Sequence, residues 1–130
     1  MSGIIDISQL YMPPEKHEFE TASYFANLGK DIVFLRPSQI PHTHTPDIKM
    51  DGVEWEIKCP TGNGKYTIEE SFRKAIKQSK YIIFDLRHVK LPESQCISQL
   101  KREFESRTYL QRLYIITKSN ELLKFPIKKS

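Results

Sequence analysis

A chain of 130 residues with a formal net charge of +4 and 38% apolar content has room for one hydrophobic core and excludes a second independent domain. Seven Phe, six Tyr and one Trp exclude a disordered chain, and no apolar run approaches the roughly 20 residues that cross a bilayer. Cys59 and Cys96 are too few for a disulfide framework or a multi-Cys zinc site and point to a reducing compartment, while 20 basic against 16 acidic residues suit a polyanionic partner without requiring one.

The opening MSGIIDISQL lacks a basic region followed by a long apolar stretch, so nothing reads as a secretory signal. Residues 1–14 end in Met12-Pro13-Pro14, whose prolines resist helix continuation, and read as a lead-in to a single domain over 15–130. From Pro14 the pattern is helical to about Leu28, with Gly29 as a C-terminal stop. Ile32 to Leu35 reads as a buried strand, and the proline-rich stretch from Arg36 to Pro46 as a loop. The strongest local signal follows: Asp51-Gly52 between the alternating runs Asp47–Met50 and Val53–Lys58 is a two-residue hairpin signature.

Pro60 to Lys65 is a loop. Thr67 with Glu70 forms a candidate capping box, opening a helix whose apolar stripe is Ile68, Phe72, Ala75 and Ile76. Tyr81–Leu86 and Leu113–Thr117 read as strands on either side of a third helix marked by Ile97, Leu100 and Phe104. Leu122–Phe125 reads as a last strand across a Ser119-Asn120 turn. The order α, β, β-hairpin, α, β, α, β, β predicts an α/β sandwich around a mixed sheet.

Counting outward from the Asp51-Gly52 turn sets Met50 against Val53, Lys49 against Glu54, Ile48 against Trp55 and Asp47 against Glu56. One hairpin face then carries Ile48, Met50, Val53, Trp55 and Ile57, and the other Asp47, Lys49, Glu54, Glu56 and Lys58. Two carboxylates about 5 Å apart repel by roughly 3 kcal/mol at an effective dielectric near 20. A hard divalent cation between Asp47 and Glu56 turns that repulsion into attraction, and Lys58 on the same face can orient a water or stabilise charge on a phosphate. The competing reading is a solvated face whose two acids simply point into water.

Glu18 adds an independent signal. On a helical wheel it falls between Ala22 and Phe25, and a carboxylate within an apolar stripe needs a partner. The alternative is an end-of-stripe residue that reaches out to solvent. Glu20 lies opposite and reads as solvated, whereas Glu15 sits in the first turn, where the helix dipole favours it.

Glu18, Pro46-Asp47 and Glu56-Ile57-Lys58 together resemble the PD-(D/E)XK nuclease superfamily signature, and Gln78 resembles a glutamine of the following helix in several of its branches. More specifically, HEFETA, LGKDIVFLRPS, TPDIKMDGVEWEIKCPTG, IEESFRKAIKQSKYIIFDLR and RLYIITK, spread over residues 15–125, resemble the C-terminal tRNase toxin domains of contact-dependent growth inhibition and related polymorphic toxin proteins. The resemblance implies a restriction-endonuclease-like α/β/α sandwich and a metal-dependent phosphodiesterase. Asp47 and Glu56, with the Ile57 carbonyl, would hold Mg²⁺ or another divalent ion such as Mn²⁺ or Zn²⁺. Lys58 would position the nucleophile or stabilise the transition state, Glu18 would complete the metal or water site, and Gln78 would orient it, a solvated glutamine being the alternative. A toxin of this kind implies tRNA as substrate, action in the bacterial cytoplasm after delivery into a neighbouring cell, a cognate immunity protein and no membrane partner. Two rivals share the fold: a DNA-directed nuclease of recombination or repair, and a non-catalytic nucleic-acid- or partner-binding domain.

Other residues are weaker candidates. Thr61 to Lys65, TGNGK, lacks the spacing of a phosphate-binding loop but follows the Glu-x-Lys strand directly, making Thr61 and Lys65 candidate substrate contacts. Arg73 and Lys77 stand out among basic residues that include Lys74, Lys80, Lys101, Arg102, Arg107 and Arg112, against the alternative of an ordinary charged helix face. His42 and His44 offer titratable groups in a loop otherwise read as solvated, His17 and His88 form no usable arrangement, and the Lys124–Lys129 tail reads as solubilising. Trp55 and Phe72 read as core.

Overall fold

The computed structural model describes residues 2–127, so Lys128 and Lys129 of the basic tail lie outside it. Seven strands form one mixed sheet in the order in which they occur along the chain: β1 (Ile5–Asp6), β2 (Ile32–Phe34), β3 (Ile48–Met50), β4 (Val53–Lys58), β5 (Tyr81–Asp85), β6 (Arg112–Ile116) and β7 (Leu122–Phe125). The pairs β1–β2, β4–β5 and β5–β6 are parallel, and β2–β3, β3–β4 and β6–β7 antiparallel. Helices α1 (Lys16–Asn27), α2 (Thr67–Ala75) and α3 (Glu93–Glu105) complete the α/β/α sandwich.

Alternating side chains separate two cores. On one face α1 buries Ala22 and Phe25 against Ile32, Ile48, Met50, Trp55, Ile57 and Ile83. On the other, α2 and α3 bury Ile68, Phe72, Ala75, Cys96 and Leu100 against Ile82, Phe84, Leu113 and Ile115. Trp55 and Phe72 are buried, as expected. The apolar hairpin face therefore belongs to the α1 core, and the charged face of β4 is turned toward the α2 side.

Several local rules decide these elements. Asp51 and Gly52 both adopt positive φ (55° and 80°), the backbone that a two-residue hairpin of right-handed twist requires. Register pairs Ile48–Trp55, Lys49–Glu54 and Met50–Val53 follow as counted from the turn. Gly29, at φ 91°, ends α1: its N–H bonds to Ala26 O, and the Lys30 N–H reaches back to Phe25 O.

Two expectations change. Thr67 does not cap α2 with its side chain; it is the first helical residue, and its Oγ1 accepts instead from the Gly64 N–H at 3.1 Å. The lead-in contributes a strand of its own: Gly3 N donates to Ala26 O (2.7 Å), and Ile32 N donates to Ile4 O (2.8 Å). A Cβ on Gly3 would fall 1.8 Å from Lys30 O, so only glycine lets the segment lie this close to the end of α1. Among the described residues no helix is long and apolar enough to cross a membrane.

Candidate functional site

The hairpin ladder ends at Ile48–Trp55 rather than continuing to Asp47–Glu56. The backbone of Asp47 is held from both sides, its N–H donating to Trp55 O (3.0 Å) and its carbonyl accepting from Leu35 N (3.0 Å). Its side chain takes the place of the next ladder bond: Asp47 Oδ2 accepts the Ile57 N–H at 2.8 Å. The two acids thus meet because the strands part and the Asp47 carboxylate plugs the gap, not because they oppose each other across a regular pleat.

Glu56 lies at the centre of the arrangement and is only 3% exposed. The charged face of β4 is accordingly solvated at Glu54 but not at Glu56, where Gln78 after α2 closes over it. Lys58 Nζ stands 3.3 Å from Glu56 Oε2. With its amide nitrogen turned toward the carboxylate, Gln78 donates to Glu56 Oε2 (2.6 Å) and Oε1 (2.8 Å). From the other side of the sheet Glu18 projects off the first turn of α1 to within hydrogen-bonding reach of Asp47.

Glu15, His17, Glu18, Asp47, Glu56, Ile57, Lys58 and Cys59 line one cleft of about 310 Å³. The structure therefore brings together Glu18, Asp47, Glu56, Ile57 and Lys58, with Gln78 behind Glu56. Thr61, Lys65, Arg73 and Lys77 are exposed and do not line the cleft. Arg73 pairs with Glu69 at 2.9 Å, and Lys65 lies over the Tyr66 ring. His42 and His44 are exposed loop residues.

Two carboxyl groups of the cleft, Glu18 and Glu56, are strongly perturbed. Burial first, then the charge of Asp47, pushes Glu56 up to about 8, outweighing the opposite pull of Lys58. Burial also leads for Glu18, followed by the charge of and a hydrogen bond to Asp47, raising it to about 8. Protons here relieve a repulsion that the fold itself imposes. Any other hard cation with access to the same oxygens would do so too.

Two nearby features escaped sequence reasoning. Thr21, one turn beyond Glu18, donates from Oγ1 to the buried Asp85 Oδ2 at 2.7 Å and ties α1 to β5. Arg87 grips the same carboxylate through Nε (2.9 Å to Oδ1) and Nη2 (2.7 Å to Oδ2). Residues more than sixty positions apart carry no local signal of meeting. Cys59, 3.3 Å from Thr21 Oγ1, has its thiol pushed up to about 12 by burial and is not a nucleophile at neutral pH.

Second, among the described residues the one trio of His, Cys, Asp or Glu whose ligand atoms all lie within 4.8 Å is His17, Glu20 and His88. The His88 Nε2 to Glu20 Oε2 distance is 2.9 Å, and the two imidazoles stack at 4.2 Å with 9° between planes. Nearly parallel rings aim their lone pairs along separate planes, so one ion meets both only if a ring turns. His17 and Glu20, three apart on α1, carried the only sequence hint.

The family model of the contact-dependent growth inhibition CdiA C-terminal domain matches residues 43–122. That span contains Asp47, Glu56, Ile57, Lys58 and Gln78, while Glu18 precedes it. Among solved structures, the CdiA-CT/CdiI toxin and immunity complex from Burkholderia pseudomallei is similar at a TM-score of 0.67, with 16% identity over 95% of this chain and 98% of that chain. At this identity the likeness is one of fold. Comparison with curated proteins gives no match.

Proposed function

The chain belongs to the family of contact-dependent growth inhibition CdiA C-terminal domains, and from that membership we propose that it is a metal-dependent endonuclease of the PD-(D/E)XK type that acts as a toxin on tRNA. The observation that carries this reading is a buried, net-repulsive carboxylate pair with a lysine beside it. Glu56, 3% exposed, faces Asp47, and Lys58 Nζ lies 3.3 Å away. Groups buried only for stability are placed among compensating partners. Here the charge of Asp47 raises the affinity of buried Glu56 for a proton or another cation.

The donors suit a hard divalent ion. Asp47 and Glu56 offer carboxylate oxygens at the mouth of one cleft, and Mg²⁺ is commonly held by one or two such groups with waters filling the remaining positions. Mn²⁺ or Zn²⁺ would meet the same oxygens. When bound, the ion supplies Lewis-acid stabilisation of phosphate charge and a more acidic water. Glu18 would complete the metal or water site from α1, beside Asp47. Lys58 holds an ammonium at the place where a phosphate would gain charge. Gln78, through its two bonds to Glu56, fixes the orientation of that carboxylate.

A tRNA substrate, delivery into the cytoplasm of a neighbouring bacterium, and neutralisation by a cognate immunity protein complete the proposal. The last is supported by the toxin and immunity complex whose fold this chain shares. Purified protein is to be incubated with total tRNA and with plasmid, each with Mg²⁺ and then with EDTA. Metal-dependent cleavage of tRNA alone is expected. Cleavage of plasmid alone would transfer the site to DNA. Nucleic-acid binding that survives Asp47→Ala without turnover under any metal would make the domain a binding module.

A further inference from the structure

An apolar groove of about 400 Å³ opens directly from the acidic cleft, sharing Glu15, Glu18 and Asp47 with it. Its remaining walls include Tyr11, Met12 and Pro13 from the lead-in and Phe34, Leu35 and Pro37 from the end of β2. Tyr11 and Met12 are 69% and 77% exposed, a large cost in uncovered apolar surface at the edge of the site. We propose that this groove seats one unpaired nucleobase beside the phosphate to be cleaved; the inference rests on the nuclease reading of the adjoining cleft.

Charge and shape select this occupant. With the phosphate in the adjoining cleft, the groove itself presents Tyr11, Phe34 and Leu35, and a base is flat, neutral and suited to an aromatic ring. Tyr11 is a held platform: the Arg36 guanidinium sits 4.5 Å from its ring centroid, and Arg36 Nε donates to Gln9 O at 2.9 Å. Tyr11 lines the groove and Arg36 does not. A base within a duplex is stacked on both sides and enters only after flipping, so single-stranded loops and ends are the favoured substrates.

The test uses Glu56→Gln protein, so that binding is read without turnover, and fluorescein-labelled RNA as one short single strand and as its duplex. Single strands are expected to bind at least tenfold more tightly. Adding Tyr11→Ala should weaken single-strand binding about fivefold to a hundredfold, the range of one lost base stack, and leave duplex binding unchanged. Because Tyr11 is largely exposed, circular dichroism should show an unaltered fold, and Tyr11→Phe should retain binding. In the otherwise wild-type chain, Tyr11→Ala should slow single-strand cleavage by a similar factor. Unchanged binding and cleavage in Tyr11→Ala overturn the base seat while leaving the nuclease intact. Loss of immunity-protein binding alone also overturns it, making the groove a protein surface. Conversely, a Tyr11-dependent preference for single strands in a protein that cleaves nothing upholds the seat and overturns only the nuclease reading.

Discussion

Two carboxylates are buried within the same sandwich and have opposite fates. Asp85, 1% exposed at the end of β5, feels burial pushing its pKa up, yet bonds from Arg87 and Thr21 together outweigh it and hold the group below its usual range. Glu56, 3% exposed on β4, feels the same burial, but the charge of Asp47 adds to it and Lys58 does not offset both. The first is an anion the fold has neutralised and uses to join α1 to β5. The second is a carboxyl that burial and an acidic neighbour incline toward keeping a proton or taking up a cation. Burial alone does not mark a functional acid; the sign of what surrounds it does.

Arg87→Ala breaks the comparison most sharply, because it turns Asp85 into a carboxylate of the Glu56 kind. Leaving one member of a buried pair without its partner costs about 3 kcal/mol or more. Chemical denaturation should show that loss near pH 7, with a smaller loss where Asp85 can take a proton. Glu56→Gln should do the reverse: no loss of stability, since a repulsion disappears, but a fall of about a hundredfold or more in cleavage rate. A denaturation midpoint that drops as far in Glu56→Gln as in Arg87→Ala would erase the distinction.

The pH dependence of stability tests both sites at once. A carboxyl that ionises at higher pH in the folded protein keeps its proton when the unfolded chain has lost it, so stability declines as pH rises through that window. For Glu18 and Glu56 the window runs from 4.5 to about 8. Asp85, whose folded pKa is depressed from 3.8, contributes in the opposite sense, stability being lost as pH falls toward and through its folded value. Metal-free protein should therefore be most heat-stable near pH 5, with Tm lower by about 5 °C at pH 8. Mg²⁺ at pH 8 should recover most of that loss, and the decline should be shallower in Glu56→Gln. A Tm that is flat from pH 5 to 8, or one that rises, would contradict the cleft chemistry.

What the sequence made legible follows the range of the interactions. The turn at Asp51-Gly52 is local, so its backbone and three register pairs were accessible by counting, whereas the counted pair of Asp47 with Glu56 gives way to the Asp47 carboxylate accepting the Ile57 N–H. Glu18 was accessible because a charge in an apolar stripe violates a local pattern. The burial of Glu56 was not: alternation placed it on a charged face, and Gln78, which reaches it after α2, lies more than twenty residues away in the chain. Thr21 lies on α1, more than sixty residues from Asp85 and Arg87, and β1 is two residues whose partner strand lies across the whole of α1. Thr67 shows the finer limit, since a cap and a first helical residue differ by one position and the Gly64 N–H decides between them.

The smallest expected effect concerns charges outside both sites. Arg73 is exposed and pairs with Glu69 one turn away at 2.9 Å, a geometry worth a few tenths of a kcal/mol. Arg73→Ala should therefore move the denaturation midpoint by no more than about 0.5 kcal/mol. If nucleic acid crosses the α2 surface, the same change should weaken binding evenly across sequences and lower the slope of log K against log salt by about 1. Tyr11→Ala should instead act unevenly, on single strands, and with little change in salt dependence. Comparing the two variants across a salt titration separates a charge that merely attracts the polymer from a surface that reads part of it, as Arg87→Ala and Glu56→Gln separate a charge that holds the fold from one that the fold holds ready.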